Sequence, residues 1–171
     1  SNILLNLGEG LTNETGATVR FVNNCEIEGC KLMGTFCYNP DAVFPIYFVM
    51  RLNKKPQEYG YWKKMRPMTV EAQWDSTSGK RKIYKSYTKE MSGDDIGVWF
   101  TFNTTEGETI EVSMGVSFVS IENARQNLES EQAERSFEEL HTMARQQWQK
   151  DLSRILVEGG TEQQRQVLYT A

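Results

Sequence analysis

From about residue 17 to residue 120 the apolar positions recur every second residue, as in strands that bury one face. The clearest run is Thr109 to Ser120, where Ile110, Val112, Met114, Val116 and Phe118 alternate with Glu111, Ser113, Gly115 and Ser117. It predicts a strand whose apolar row faces a core. Val98, Phe100 and Phe102 alternate with Trp99 and Thr101 just before it, and Thr104-Thr-Glu-Gly107 supplies a turn, so an antiparallel hairpin is expected there. Ile46, Phe48, Met50 and Leu52 form another row against Tyr47, Val49 and Arg51. Shorter strands are expected at 19–22, 25–33, 70–75 and 82–89, punctuated by Gly16, Asn23-Asn24, Asn39-Pro40, Ser76 to Gly79 and Ser92-Gly93. Short strands separated by turns every 8–12 residues or so indicate an antiparallel β-sandwich.

Near Ser120 the period becomes that of a helix. Ser120 can cap a short one through Asn123, with Glu122 placing negative charge in its first turn. A longer helix is predicted from about Ser136 to Leu156, because Phe137, Leu140, Ala144, Trp148, Leu152 and Ile155 make one apolar stripe on a Glu-, Gln-, Arg- and Lys-rich cylinder. Such a stripe needs cover, from the sheet or from a second domain. A last helix starts at Thr161, with Gln164 placed to reach back and Gly159-Gly160 letting the chain turn in. Val167, Leu168 and Tyr169 then cluster on the terminal turn without a closing signal, which reads as a piece of something longer or as an end that docks on its own core. The chain is therefore mainly β, an antiparallel β-sandwich over residues 1–120 followed by a C-terminal helical linker over 121–171, α+β overall.

Composition narrows the chemistry. The 171 residues carry 23 acidic and 19 basic side chains, a net charge of -4, with no basic stripe beyond Lys80-Arg81-Lys82, so nucleic acid is not indicated as a partner. No apolar run approaches the roughly 18 residues of a membrane span. Ser1-Asn2 resembles a remnant of tag cleavage, which leaves a lost signal peptide open. Cys25, Cys30 and Cys37 lack zinc spacing and read as three half-buried thiols or as one hairpin disulfide with a thiol to spare. Asp94-Asp95 reads as a turn after Ser92-Gly93, and neither Glu26 and Glu28 nor Glu138 and Glu139 show the convergence that an acid and a base need. His141, at the border of the helical stripe, has no nucleophile motif beside it and reads as a packing histidine. Tyr59, Tyr61, Trp62 and Trp74 surround a stretch broken by Pro56, Gly60 and Pro67. Exposed aromatics on such a loop can stack on a sugar ring, and aromatics beside strands can equally be core.

Specific stretches then resemble a known family. Phe44-Pro-Ile-Tyr-Phe-Val-Met50, Asn53-Lys-Lys-Pro56, Tyr59-Gly-Tyr-Trp62, the run from Gly115 to Leu128, Ala144-Arg-Gln-Gln-Trp148, Glu158-Gly-Gly-Thr161 and Leu168-Tyr-Thr-Ala171 look, in order, like the N-terminal domain of glycoside hydrolase family 92. These are bacterial exo-acting α-mannosidases, many assigned α-1,2 specificity and prominent in gut Bacteroides. The resemblance implies an N-terminal β-sandwich, a helical linker and an absent C-terminal (α/α)6 barrel, this chain's partner. The barrel would carry the calcium and the acid and base of inverting hydrolysis, so no catalytic, cofactor-binding or metal position is carried onto this chain. Calcium is expected in the full-length parent and not in this portion. The resemblance further implies a missing segment ahead of Ile3-Leu-Leu-Asn-Leu7, a sandwich incomplete at its N-terminal side, exposed sheet edges and an edge-mediated dimer. The parent would sit in the periplasm or at the surface of a Gram-negative bacterium, acting on mannose-containing glycans. Alternatives are a free-standing carbohydrate-binding module using Tyr59, Tyr61, Trp62 or Trp74, and a purely structural interaction domain.

Overall fold

A computed structural model describes residues 1–10, 15–34, 42–64, 81–85 (backbone only), 89–132 and 135–170. The described residues form strands β1 (Asn2–Asn6), β2 (Ala17–Asn23), β3 (Glu26–Gly34), β4 (Val43–Leu52), β5 (Glu58–Lys64), β6 (Arg81–Lys85), β7 (Glu90–Gly93), β8 (Ile96–Thr101) and β9 (Val112–Ser117). Three helices follow, α1 (Ile121–Glu131), α2 (Phe137–Leu152) and α3 (Glu162–Thr170). One antiparallel sheet runs β1-β8-β5-β6 and the other β7-β2-β3-β4-β9. A single core lies between them: Val19, Ile27, Phe48 and Met50 of the second sheet pack with Tyr61, Ile96, Val98 and Phe100 of the first. Phe21 joins the layers, its ring 5.0 Å from Tyr61 and 5.8 Å from Phe100, both edge-on. Each such buried side chain contributes about 1.5–3 kcal/mol. The β-sandwich expected from the alternation is thus the observed architecture.

Three expectations need correction. The stretch around Tyr59 to Trp62 is no loop: it is β5, hydrogen-bonded on both sides, to β8 and to β6. Its Tyr-Gly-Tyr-Trp sequence has no turn geometry of its own, and neighbours on each side satisfy its backbone. The hairpin between residues 98–102 and 109–120 does not form, since β8 and β9 belong to different sheets. The connection crosses the sandwich end, held where Asn53 N–H donates to the Glu111 carbonyl (3.2 Å), Glu111 N–H donates to Asn53 Oδ1 (2.9 Å) and Lys54 bridges Asn103 and Glu108. The third concerns β9. Its apolar row is the exposed one, with Val112, Met114, Val116 and the following Phe118 open to solvent, while Gly115 and Ser117 are buried. The row continues the inner face of β4, since Val116 lies opposite Phe48 and Met114 opposite Met50. Among the described elements β9 packs chiefly on β4 and α1. The expected strand at 70–75 lies outside the described residues.

The change of period at Ser120 marks α1, whose N-cap Ser120 accepts from Asn123 N–H at 3.1 Å. Helix α1 lies on the outer face of the five-stranded sheet, where Ala124 and Leu128 close over Val49. Gly115 permits this approach: a Cβ there would run into the Ala124 carbonyl and lie 2.6 Å from Leu128 Cβ. Side chains of α1 also bond carbonyls of the edge strand, Asn127 to Val116 at 2.8 Å and Gln132 to Met114 at 2.9 Å. The first compact unit accordingly spans Ser1–Ala133, past the change of period, and the second spans Glu134–Ala171. In the second unit Ser136 and Glu139 form a capping box on α2, and Thr161 and Gln164 exchange the expected pair of bonds at the start of α3. Tyr169 of α3 donates to the Ile155 carbonyl at 2.9 Å.

Candidate functional site

Strand β5 points Tyr59 and Tyr61 into the sandwich and Trp62 away from it. Tyr61 is 0% exposed, donates to the Lys89 carbonyl at 3.0 Å and accepts from Phe21 N–H at 3.2 Å, and burial raises its pKa. Trp62 is 2% exposed, its indole N–H donates to the Leu5 carbonyl, and Gly97 on the next strand leaves the space it fills. Neither ring has a face for a sugar, and both are corrected from sugar contacts to core residues. The reason is their central strand, which tertiary pairing buries on both faces. Tyr59 is half-buried, its ring packed on Phe21 and its hydroxyl bonded to Asn24 Oδ1 at 2.6 Å. Trp74 lies outside the described residues.

The outer face of the five-stranded sheet holds the most organised polar cluster among the described residues. Glu26 and Glu28, two apart on β3, project to the same side and are both buried. Register places Arg51 of β4 directly opposite Glu26 and Arg20 of β2 directly opposite Glu28. The Nε of each arginine donates at 2.6 Å to the carboxylate it faces. Arg125 of α1 then reaches down and spans the pair, Nη1 on Glu26 and Nη2 on Glu28. Glu129, one turn further along α1, accepts from Arg51 at 3.0 Å. Burial is the largest single influence on Glu26 and opposes its ionisation, but the bonds from Arg125 and Arg51 together outweigh it and hold the carboxyl below its ordinary range. The bond to Glu26 likewise raises the pKa of Arg51 and of Arg125. Read along the sequence, Glu26 and Glu28 showed no acid–base geometry, and in the structure their oxygens are committed to arginines. The signal that could have found this cluster is cross-strand: an arginine at an outward position of each strand flanking β3.

Other expected positions fall apart in space. His141 is exposed on α2, stacked on Phe137 with Nδ1 4.0 Å from Glu138. Asp94 and Asp95 form the bend between β7 and β8. Cys25 and Cys30 are free thiols, with burial raising the pKa of Cys30, and Cys37 lies outside the described residues. Among the described residues no group of three or more His, Cys, Asp or Glu could hold a metal ion. No described helix is long and apolar enough to cross a membrane. In the second unit a cavity of about 480 Å³ opens between α2 and α3, lined by Arg145, Trp148, Leu152, Leu156 and Tyr169 among others. It is a shallow, mostly apolar concavity with no convergent carboxylates.

Residues 1–117 match the glycosyl hydrolase family 92 N-terminal domain, and residues 123–171 match the catalytic domain of that family. The seam between the matches falls at the start of α1. Among solved structures the chain is similar to the family GH92 α-mannosidase BT3965 from Bacteroides thetaiotaomicron, with TM-score 0.73 and 21% identity over 93% of this chain and 20% of that one. It is also similar to the family GH92 inverting mannosidase BT2199 from Bacteroides thetaiotaomicron VPI-5482, with TM-score 0.69 and 20% identity over 94% of this chain and 19% of that one. The gh92 family glycosyl hydrolase ccman5 gives TM-score 0.70 at 18% identity, over 94% of this chain and 19% of that one. At these identities the likeness speaks for the fold, and the chain spans about one fifth of each matched structure. No curated protein matches the sequence.

Proposed function

The chain belongs to glycosyl hydrolase family 92, and from that premise we propose that it is the non-catalytic sandwich and first helical segment of a larger exo-acting α-mannosidase. The observation that carries this reading is continuity: one chain matches the N-terminal domain and then, six residues on, the catalytic domain of the same family. In this reading the sandwich forms one wall of an active site and orients the catalytic domain. The acid, the base and a calcium ion reside beyond Ala171, and hydrolysis inverts the anomeric centre of a terminal α-1,2-linked mannose. We place the parent outside the cytoplasm, in the periplasm or at the surface of a Gram-negative bacterium.

The test compares the 171-residue chain with its full-length parent on α-mannobioses. The chain is expected to release no mannose, with or without calcium, and the parent to release it as the β-anomer until a chelator is added. Mannose released by the chain alone would overturn the reading, and a retained anomer would overturn the inverting assignment. Comparing α-1,2 with α-1,3 and α-1,6 linkages tests the specificity. The carbohydrate-binding-module reading loses Tyr61 and Trp62 to the core. Titration of the chain with mannobiose is accordingly expected to leave its tryptophan fluorescence unchanged.

A further inference from the structure

We propose that Arg125 is a positioning residue, part of a charge lock that fixes helix α1 in one register on the sandwich and so sets where the catalytic portion of the family 92 enzyme begins. This rests on the reading of the chain as part of such an enzyme. Arg125 and Glu129 lie within the segment matched by the catalytic domain, whereas Glu26, Glu28, Arg20 and Arg51 lie within the N-terminal match. The lock therefore bridges the seam between the two.

Its logic follows from the spacing. The apolar contacts of α1, Ala124 and Leu128 on Val49, are four residues apart, so a helix moved by one turn would set Leu128 in the place of Ala124 and Gln132 in the place of Leu128. Apolar packing therefore opposes such a shift at only one of its two places. Arg125 and Glu129 are also four residues apart, and their charges are opposite. A shift of one turn would set Glu129 over the two buried carboxylates, where like charges repel in a partly desolvated site. The lock is also more than neutralisation. Arg20 and Arg51 already balance Glu28 and Glu26 within the sheet, so Arg125 and Glu129 form a second balanced pair whose order matches one placement of the helix. Buried charges that specify register rather than add stability are the best-attested use of such networks.

The decisive variants are Arg125→Met, Arg125→Lys and the charge swap Arg125→Glu with Glu129→Arg, which keeps composition and net charge. In the full-length enzyme, assayed far below its unfolding midpoint, Arg125→Met and the swap are expected to lower kcat/KM on an α-mannoside by about tenfold to a hundredfold. Arg125→Lys should recover part of the loss. A merely structural role would lower the midpoint and leave kcat/KM and its kcat–KM split at wild-type values, and that result overturns the proposal. Should the wild-type parent not hydrolyse α-mannosides, the functional reading fails instead, and the lock is then judged in the 171-residue chain. There, hydrogen exchange of the α1 amides in Arg125→Met and in the swap should quicken by about tenfold or more while β2, β3 and β4 keep their protection. Unchanged protection of α1 in both variants would overturn the lock.

Discussion

Two sets of large apolar side chains, one in each compact unit, meet opposite environments. Within Ser1–Ala133, Tyr61, Val98 and Phe100 are sealed between two sheets. Within Glu134–Ala171, Phe137, Trp148, Ile155 and Leu156 stand open, Trp148 at 68% exposure and Leu156 at 81%, and neither α2 nor α3 buries a single residue. The N-terminal capping of both helices is nonetheless in place. A helix can thus be fully specified along its own length and still lack the surface that its stripe is built to meet. The sandwich obtains its stability from its own core, and the helical unit has exposed apolar area of the kind that marks an interaction face.

That contrast can be broken at its strongest point by Tyr61→Ala. Removing a fully buried ring and its two hydrogen bonds should cost the sandwich about 3–5 kcal/mol in urea unfolding. A loss below about 1 kcal/mol would mean that the ring is not in the core. Gly115→Val tests the outer face, where the added side chain meets α1 backbone, and overpacking of this kind should cost about 1–3 kcal/mol. Helix α1 should then loosen before the sandwich unfolds.

Acid sharpens the comparison further. The Glu26 carboxyl has a folded-state pKa below the ordinary 4.5, so the stability it contributes is present at neutral pH and above 4.5. It is lost as the pH falls through the lowered folded value. Glu26→Gln should flatten the acid limb of the unfolding curve below pH 4.5, and an unchanged slope would remove Glu26 from the lock. Ser136→Ala should weaken α2 by about 1 kcal/mol through loss of its capping box, seen as lost helicity by circular dichroism with the sandwich transition unmoved. Trp148→Ser should change sandwich stability in urea unfolding by less than about 0.5 kcal/mol. A larger loss of stability would show that the stripe is covered within the chain.

Much of the fold was legible along the chain, and the misreadings share a cause. The run from Val98 to Phe102 and the run from Val112 to Phe118 were recognisable as strands from their alternation. Their membership of different sheets was not, because a period of two reports how side chains alternate and says nothing of which strand lies alongside. Strand β9 shows the same limit more sharply. Its apolar row faces the core side of the sheet yet stays exposed at the edge, while its small residues are buried because a helix needed the close approach at Gly115. The Tyr-Gly-Tyr-Trp stretch of β5 looked like a loop since Pro56, Gly60 and Pro67 surround it, and its burial comes from strands remote in the chain, β6 on one side and β8 on the other. Glu26 and Glu28 were visible as a pair, whereas Arg125, about a hundred residues away, becomes their partner only through the packing of α1.

By itself the sequence determined what is local: alternation within strands, the change of period at Ser120, the caps at Ser120 and Thr161, and the motifs of the family. Tertiary structure decided what depends on distant partners. It settled which sheet each strand joined, which face of β9 was covered, and that two carboxylates met arginines from two strands and a helix. The physical reason is one of range. Dihedral preferences and capping bonds act within four or five residues, whereas burial and charge pairing are defined only once remote segments share the same space.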